Sequence, residues 1–340
     1  MGVLICHSVG PAVAVQDLGR AGLTGLGISR GGAMDRLALL EATVLLGAPH
    51  AHAALEMAGM GGRFEVTEPT RIALTGATMA AKIDGAPIGW NQSHRLLPSQ
   101  ALDIGAATAG MYGYLSFAGG VDSPIYLNSR ATHLTAAVGG YLSAGDRLQF
   151  APDPEPNSAE VGITVEERFS GGDIGILPGP QTGLFSTQVR QSFENATFSV
   201  SHRVNRQGIG LDHPNLTFSS DLAAGLASDF IQPGDVQMTG EGVPYVLMAE
   251  CQTTGGYPRL GTVLPSDLPR LAQSRPGSTI RFHFVDFEKA DASEPSEAAQ
   301  LAALRAKVRP MVRNPAEIAD LLGYQLISGV TAGDDLEDLS

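Results

Sequence analysis

Apolar positions along this chain fall in short runs broken every few residues by glycine, proline or aspartate, a pattern of strands and turns, not of long helices. In the first half the runs are Arg71–Thr75, Ala81–Ile83, Ala101–Ile104, Tyr112–Ala118 and Arg147–Phe150, and Asp84-Gly85 between two of them is a strong hairpin signal. One stretch departs from this. Leu37, Leu40, Val44 and Leu45 recur at helical spacing, which predicts a helix over Met34–Leu46, stopped by Gly47 with Pro49 just beyond. In the second half Val246–Ala249 and Leu260–Leu264 flank Gly255-Gly256 and read as a hairpin, followed by a short helix over Ser266–Gln273 with Ser266 as its cap and Asp267 at its N-terminus. Beyond Asp286 the pattern turns helical. Ser293–Val308 reads as one helix, Asn314-Pro315-Ala316-Glu317 as the capped start of another, and Asp334–Asp338 as an acidic tail.

Composition sharpens this to a mainly β fold with a few helices, because 42 glycines and 21 prolines in 340 residues are too many breaks for helical bundles. The length is about twice a typical domain of roughly 150 residues, so two domains are expected. Ala151–Glu160, with prolines at 152, 154 and 156 and almost no apolar side chain, has the composition of an exposed linker. That divides the chain into 1–150, 161–285 and a C-terminal extension over 286–340. The halves echo each other: Leu4–Pro11 resembles Ile174–Pro180, and Ala144–Phe150 resembles Pro276–Phe282, as though each opened and closed on a similar strand.

Charge and cysteine content exclude several function classes. A net charge of −13 would repel a phosphate backbone, so nucleic acid is not an expected partner. No run approaches the ~18 apolar residues that span a bilayer, and the start of the chain lacks a basic signal-peptide region, so a cytoplasmic protein without a membrane partner is expected. Cys6 and Cys251 read as buried thiols. Lys82, Lys289 and Lys307 are the only lysines, none of them in a phosphate-loop motif or in the hairpin that carries biotin. His50 and His52 lack a third ligand, and no metal is expected.

Three stretches could carry chemistry. Gly27-Ile28-Ser29-Arg30-Gly31 matches the GxSxG nucleophile elbow of serine hydrolases, but a glycine-rich loop precedes Ser29 where the elbow requires a strand. Val15–Asp35 gathers Gln16, Asp17, Arg20, Arg30 and Asp35 on or beside that loop. Glycine lets backbone approach a ligand, and arginine offers a forked donor for an anion; alternatively Asp17 and Arg20 simply pair to staple the loop. Gln252-Thr253-Thr254-Gly255-Gly256-Tyr257-Pro258-Arg259 sets a row of donors around a turn, suited to an amide or ureido oxygen. Lesser signals are Asn128-Ser129-Arg130 and Asn205-Arg206-Gln207.

VQDLGR (Val15–Arg20), GAMDR (Gly32–Arg36), ALE (Ala54–Glu56), LTGA (Leu74–Ala77), SFAGGV (Ser116–Val121), NSRAT (Asn128–Thr132), QTTGGYP (Gln252–Pro258) and SDLPRLAQ (Ser266–Gln273) occur in this order. Together they resemble the allophanate hydrolase subunit 2 family, also called the biotin-dependent carboxyltransferase family. That family includes the C subunit of 5-oxoprolinase and the second carboxyltransferase module of urea carboxylase. The resemblance covers about Val3–Phe284. It implies two cyclophilin-like β-barrel halves and a subunit 1 partner, similar to the B subunit of 5-oxoprolinase, with a protein like the A subunit completing such a set. ATP would be used by the complex, and any biotin would be presented by another protein. Gly31, Asn205, Cys251 and Arg259 stand where the family often has Ser, Asp, Arg and Lys.

The chemistry so implied acts on an amide-like C–N bond of a small substrate and develops negative charge on oxygen. Arg20, Gln252, Thr253 and Arg259 are the expected stabilisers, with Asp17 orienting an arginine or accepting a proton. Gln16, Asp35, Ser129, Arg130, Arg206, Thr254, Gly255, Gly256 and Tyr257 are the expected substrate contacts. Two other readings are a regulatory module that antagonises a kinase inhibitor, since one relative is similar to such a protein, and a serine hydrolase using Ser29.

Overall fold

The computed structural model describes residues 1–214, 217–218 and 226–311, so the predicted helix start at Asn314–Glu317 and the tail at Asp334–Asp338 lie outside the described residues. The fold is mainly β, built from an 11-stranded sheet, nine of whose strands come from the first half, and a closed seven-stranded barrel in the second. Two long strands organise the sheet. Thr70–Ile83 joins two predicted runs, Leu102–Phe117 joins two more, and they pair antiparallel along their length through register shifts between Gly76 and Ala81. Gly110 (φ +78°) and Gly76 (φ +73°) let these strands bend without ending. Asp84 and Gly85, at φ +50° and +83°, make the expected hairpin to Ala86–Ile88.

Both halves open and close on neighbouring strands, as the sequence echo suggests, but with opposite sense. Gly2–Val9 pairs antiparallel with Arg147–Phe150, whereas Gly171–Leu177 pairs parallel with Thr279–Phe284. Sheet membership changes between Ile163 and Gly171: Val161–Ile163 pairs with Gln92–Leu96 of the first sheet, and Val308–Pro310 returns to cover its edge. The stretch read as an exposed linker is largely exposed and is anchored through the Asp153 side chain. Arg71 grips Asp153 with Nε at 3.0 Å and Nη2 at 2.8 Å while the Arg71 backbone N–H donates to the same carboxylate, and Asp153 is 2% exposed.

Several local expectations are corrected. Helix α1 spans Arg36–Leu46, two residues shorter than expected, because Asp35 caps it by accepting from the Ala38 N–H at 3.1 Å. Gly47 ends it at φ +68°. Helix α2 spans Thr187–Asn195. Helix α3 spans Leu268–Gln273 with Asp267, not Ser266, as the N-cap; Pro269 fits its first turn because no N–H is needed there. The expected Ser293–Val308 helix is shorter, α5 (Glu297–Arg305), starting after Pro295 with Ser296 as its cap through the Ala299 N–H and giving way to a strand at Val308; a separate helix α4 (Phe287–Ser293) precedes it. The Gly255-Gly256 hairpin is also corrected. Pro244–Leu247 and Arg259–Val263 do not pair with each other, since Asp235–Met238 lies between them, and Thr254–Gly255 pairs with Asp229–Phe230. Gly255 is closely packed and does not sit in a hairpin turn: a Cβ there would sit 3.0 Å from Gln237 Nε2 and 3.1 Å from Ile231.

The barrel core holds an aromatic cluster of Phe193, Phe198, Phe218 and Phe282 with ring centroids 5.0–5.7 Å apart. The same apolar cluster continues into Ala33, Met34, Ala38, Leu39, Tyr112 and Tyr114 of the first half, so the halves share buried surface. Among the described residues no helix is long and apolar enough to cross a membrane.

Candidate functional site

The glycine-rich loop after Val13–Gln16 runs along the junction between the halves, and two buried ionic clusters fix it there. In the first, Arg206 of the second half is 7% exposed and binds Glu56, Glu250 (Nε to Oε1, 2.5 Å) and the Gly32 carbonyl (2.6 Å). Glu56 also accepts from the Met34 N–H at 2.8 Å and the Tyr114 hydroxyl at 2.7 Å, and Tyr114 in turn accepts from the Asp35 N–H. Burial opposes the Arg206 charge, but the two carboxylates prevail and raise its pKa above the ordinary arginine value. In the second cluster Arg168 donates to Asp35 and, through both Nη atoms, to Glu41, all at 2.8 Å. Gln273 on α3 completes it, donating to Asp35 at 2.8 Å and to the Tyr112 carbonyl while accepting from the Met111 and Tyr112 N–H groups.

These contacts assign geometry to the expected residues. Asp17 accepts from Gly19 N–H, Ser129 Oγ and Arg130 N–H at 2.7–2.8 Å, so both of its oxygens hold the 129–130 loop against its own. Arg130 binds Asp122 and the Ser123 carbonyl. Gln16 is fully buried and donates to the Thr132 carbonyl. Asp35 and Arg206 sit inside the ionic clusters, where they join the halves. Arg20 is 2% exposed; its Nε donates to the Tyr126 carbonyl and its Nη2 to the Ala131 carbonyl, while the buried Nη1 has no partner among the described residues.

Arg20 lines a cleft of about 910 Å³ between the halves, walled by the loop (Gly22, Arg30, Gly31), by α1, by Met248 and Ala249, and by α5. Gly31 N–H donates to the Ala249 carbonyl at 2.9 Å across its floor. The second stretch approaches this cleft only through the residues just before it. Gln252, Thr254, Gly256 and Tyr257 are exposed, and Thr253 is buried with its carbonyl accepting from Ile231. Arg259 turns into its own barrel, bound to Asp229, Asp235 and Gln181. None of 252–259 is among the residues lining the cleft.

The sequence did not single out Glu250, Arg168 or His133, and Glu56 and Gln273 entered it only as the last residues of the ALE and SDLPRLAQ motifs, with no role assigned. A carboxylate closing an apolar run, as in Ala54-Leu55-Glu56 and Leu247-Met248-Ala249-Glu250, was the available signal for two of them. His133 bears on the hydrolase reading, because its Nε2 lies 2.9 Å from Ser29 Oγ. Its Nδ1 accepts from the Ala136 N–H at 3.2 Å, which leaves the ring proton on Nε2. Burial lowers its pKa and keeps the ring neutral. In this tautomer His133 donates to Ser29 and does not take its proton; Ser29 also lacks the strand-to-helix turn of an elbow.

This arrangement, a β sheet and a closed barrel clamped across a ligand-sized cleft, is that of a carboxyltransferase domain. Residues 26–284 match the family described as carboxyltransferase domain, subdomain A and B, and the chain belongs to that family. It is 36% identical to the C subunit of the Haemophilus influenzae 5-oxoprolinase over 281 residues, 81% of this chain and 89% of that protein. Against the C subunit of the Escherichia coli 5-oxoprolinase the identity is 34% over 287 residues, 83% of this chain and 91% of the relative. The Kluyveromyces lactis urea amidolyase structure superposes with a TM-score of 0.80 at 25% identity, covering 92% of this chain and 21% of that one. The structure of TTHA0988 superposes at 0.76 and 28% identity, covering 83% of this chain and 56% of that one. The chain thus spans about a fifth of the urea amidolyase and little more than half of TTHA0988, but nearly all of the two 5-oxoprolinase relatives. It is an enzyme component of the carboxyltransferase type.

Proposed function

We propose that this chain is the C subunit of a 5-oxoprolinase-type complex that uses ATP to open an amide-like C–N bond, and that the cleft between its halves binds the amide. The observation that carries this reading is the Arg20 guanidinium, 2% exposed, with one N–H buried and unpartnered in a cleft between the halves. As the amide carbonyl is attacked, negative charge develops on its oxygen. A fixed donor in a low-dielectric site stabilises that charge more than the neutral carbonyl, by a few kcal/mol. The carbonyls of Tyr126 and Ala131 hold the guanidinium in place beforehand, so little reorganisation accompanies the reaction. The same donor and cleft volume fit the ureido oxygen of a biotin presented by another protein, which would supply a carboxyl group in a carboxyltransferase.

The relatives spanned nearly end to end are both named as parts of a multi-protein 5-oxoprolinase, which supports partners like its B and A subunits for this chain. Exposed Ile125, Tyr126 and Leu127, beside Arg20, are the apolar face assigned to such a partner. The chain should co-purify with these partner proteins and support 5-oxoproline-dependent ATP hydrolysis. Arg20→Ala should lower that activity at least roughly tenfold, equivalent to ~1.4 kcal/mol of transition-state stabilisation. Full activity of the variant would remove the assignment. Assembly without any turnover would favour a regulatory module in place of an enzyme component.

A further inference from the structure

The charges lining the cleft are unevenly matched. Glu41 is held by both Nη atoms of Arg168 at 2.8 Å, Lys307 by Glu166 at 2.8 Å, and Glu294 accepts from the Ser266 N–H at 3.1 Å. Arg20 and Arg30 of the loop and Arg36 at the start of α1 are not matched in this way. Among the described residues Arg20 Nη1 and Arg36 Nε are buried without a partner. The ion pair found for Arg36 is to Glu297 on α5, at 3.7 Å, beyond hydrogen-bond reach and with both side chains more than two-fifths exposed. Arg30 donates its Nε to the Leu18 carbonyl, and its charge opposes that of Arg36. Burial, with Arg30 adding to it, pulls the Arg36 guanidinium below its ordinary value. Buried N–H groups without partners and neighbouring like charges are unfavourable unless something anionic completes the site.

We propose that Arg30 and Arg36, with the free N–H of Arg20, form an anion subsite that binds a carboxylate carried by the substrate beside its amide. The proposal rests on the 5-oxoprolinase-type reading above and deepens it by naming what selects the substrate. A carboxylate suits the forked guanidinium donors. Glu41, Glu166, Glu294 and Glu297 also line the cleft, and they disfavour a multiply charged phosphate while tolerating a monoanion. 5-Oxoproline is a lactam with a carboxylate on the ring carbon next to nitrogen, whereas urea is neutral. The subsite would therefore separate these two substrate types by charge, leaving Arg20 free to serve both the carboxylate and the developing oxyanion.

The test is calorimetric titration of the full chain, and of its complex with the partner proteins, with 5-oxoproline, the neutral lactam pyrrolidinone, acetate and inorganic phosphate. Arg36→Gln and Arg30→Gln should each weaken 5-oxoproline binding by roughly tenfold or more while leaving the weaker pyrrolidinone binding unchanged. Equal loss for both lactams, or undiminished 5-oxoproline binding, overturns the subsite and leaves the 5-oxoprolinase reading standing. Phosphate binding tighter than any carboxylate and abolished in Arg36→Gln overturns the carboxylate assignment. Acetate binding abolished in Arg36→Gln, with neither lactam bound, supports the carboxylate subsite and removes the 5-oxoprolinase reading.

Discussion

Arg206 offers a sharp test of whether the buried ionic network holds the halves together. The guanidinium reaches Glu56 and the Gly32 carbonyl on one side and Glu250 on the other, with all three side chains at least nine-tenths buried. Arg206→Met keeps much of the volume but leaves two carboxylates facing each other without a counter-charge. Removing one partner of a buried pair costs about 3–5 kcal/mol. The lower end applies here, because Glu56 retains the Met34 N–H and Tyr114 hydroxyl, and Glu250 retains the Leu134 and Thr135 N–H groups. The loss should be read by urea denaturation with two probes. Trp90, the only tryptophan, reports the first half, and circular dichroism reports both. Coincident transitions in the native chain should separate in the variant as the halves uncouple. Adding Glu56→Gln and Glu250→Gln should recover most of the loss. A stability change within about 0.5 kcal/mol, the range of ordinary surface substitutions, together with coincident transitions, would refute the reasoning.

Three further outcomes are expected. Asp153 is pushed upward by burial but held below the ordinary carboxyl value by Arg71 and backbone N–H groups, so its contribution is present above the unfolded value near ~4 and lost as pH falls; Asp153→Asn should destabilise the chain at pH 7 and flatten its acid limb, and an unchanged limb would count against the tether. Burial pushes the Cys6 thiol to about 11 and the Cys251 thiol to about 12, so a thiol reagent at pH 8 should modify both only after denaturation, and rapid native labelling would contradict their packing. Ser29 should resist a fluorophosphonate probe, because His133 points its proton at the hydroxyl; stoichiometric labelling would revive the hydrolase reading.

Much of the local structure was legible because it depends on neighbours in sequence. Asp84-Gly85 had to turn, Gly47 had to end α1, and the short apolar runs had to be strands. The joining of two predicted runs into Thr70–Ile83, and of two more into Leu102–Phe117, was hidden, because a register shift and glycines inside a strand look in sequence like turns between strands. Pro295 delayed the start of the C-terminal helix to Glu297, and the helix before it, Phe287–Ser293, went unread.

By itself, the sequence determined a β-rich chain with few helices, the loops that carry its polar residues, and the family it resembles, since turn chemistry, periodicity and motif order are properties of neighbouring residues. Tertiary structure alone decided which polar residues clamp and which face a cleft. Asp17, Asp35 and Arg206 are occupied by partners from 2 to 238 residues away, and Arg259 turns into its own barrel. Arg20 and Arg36 retain unpartnered buried N–H groups. Whether an arginine is satisfied depends on which carbonyls and carboxylates the folded chain brings within hydrogen-bond reach, and sequence separation carries no information about that distance.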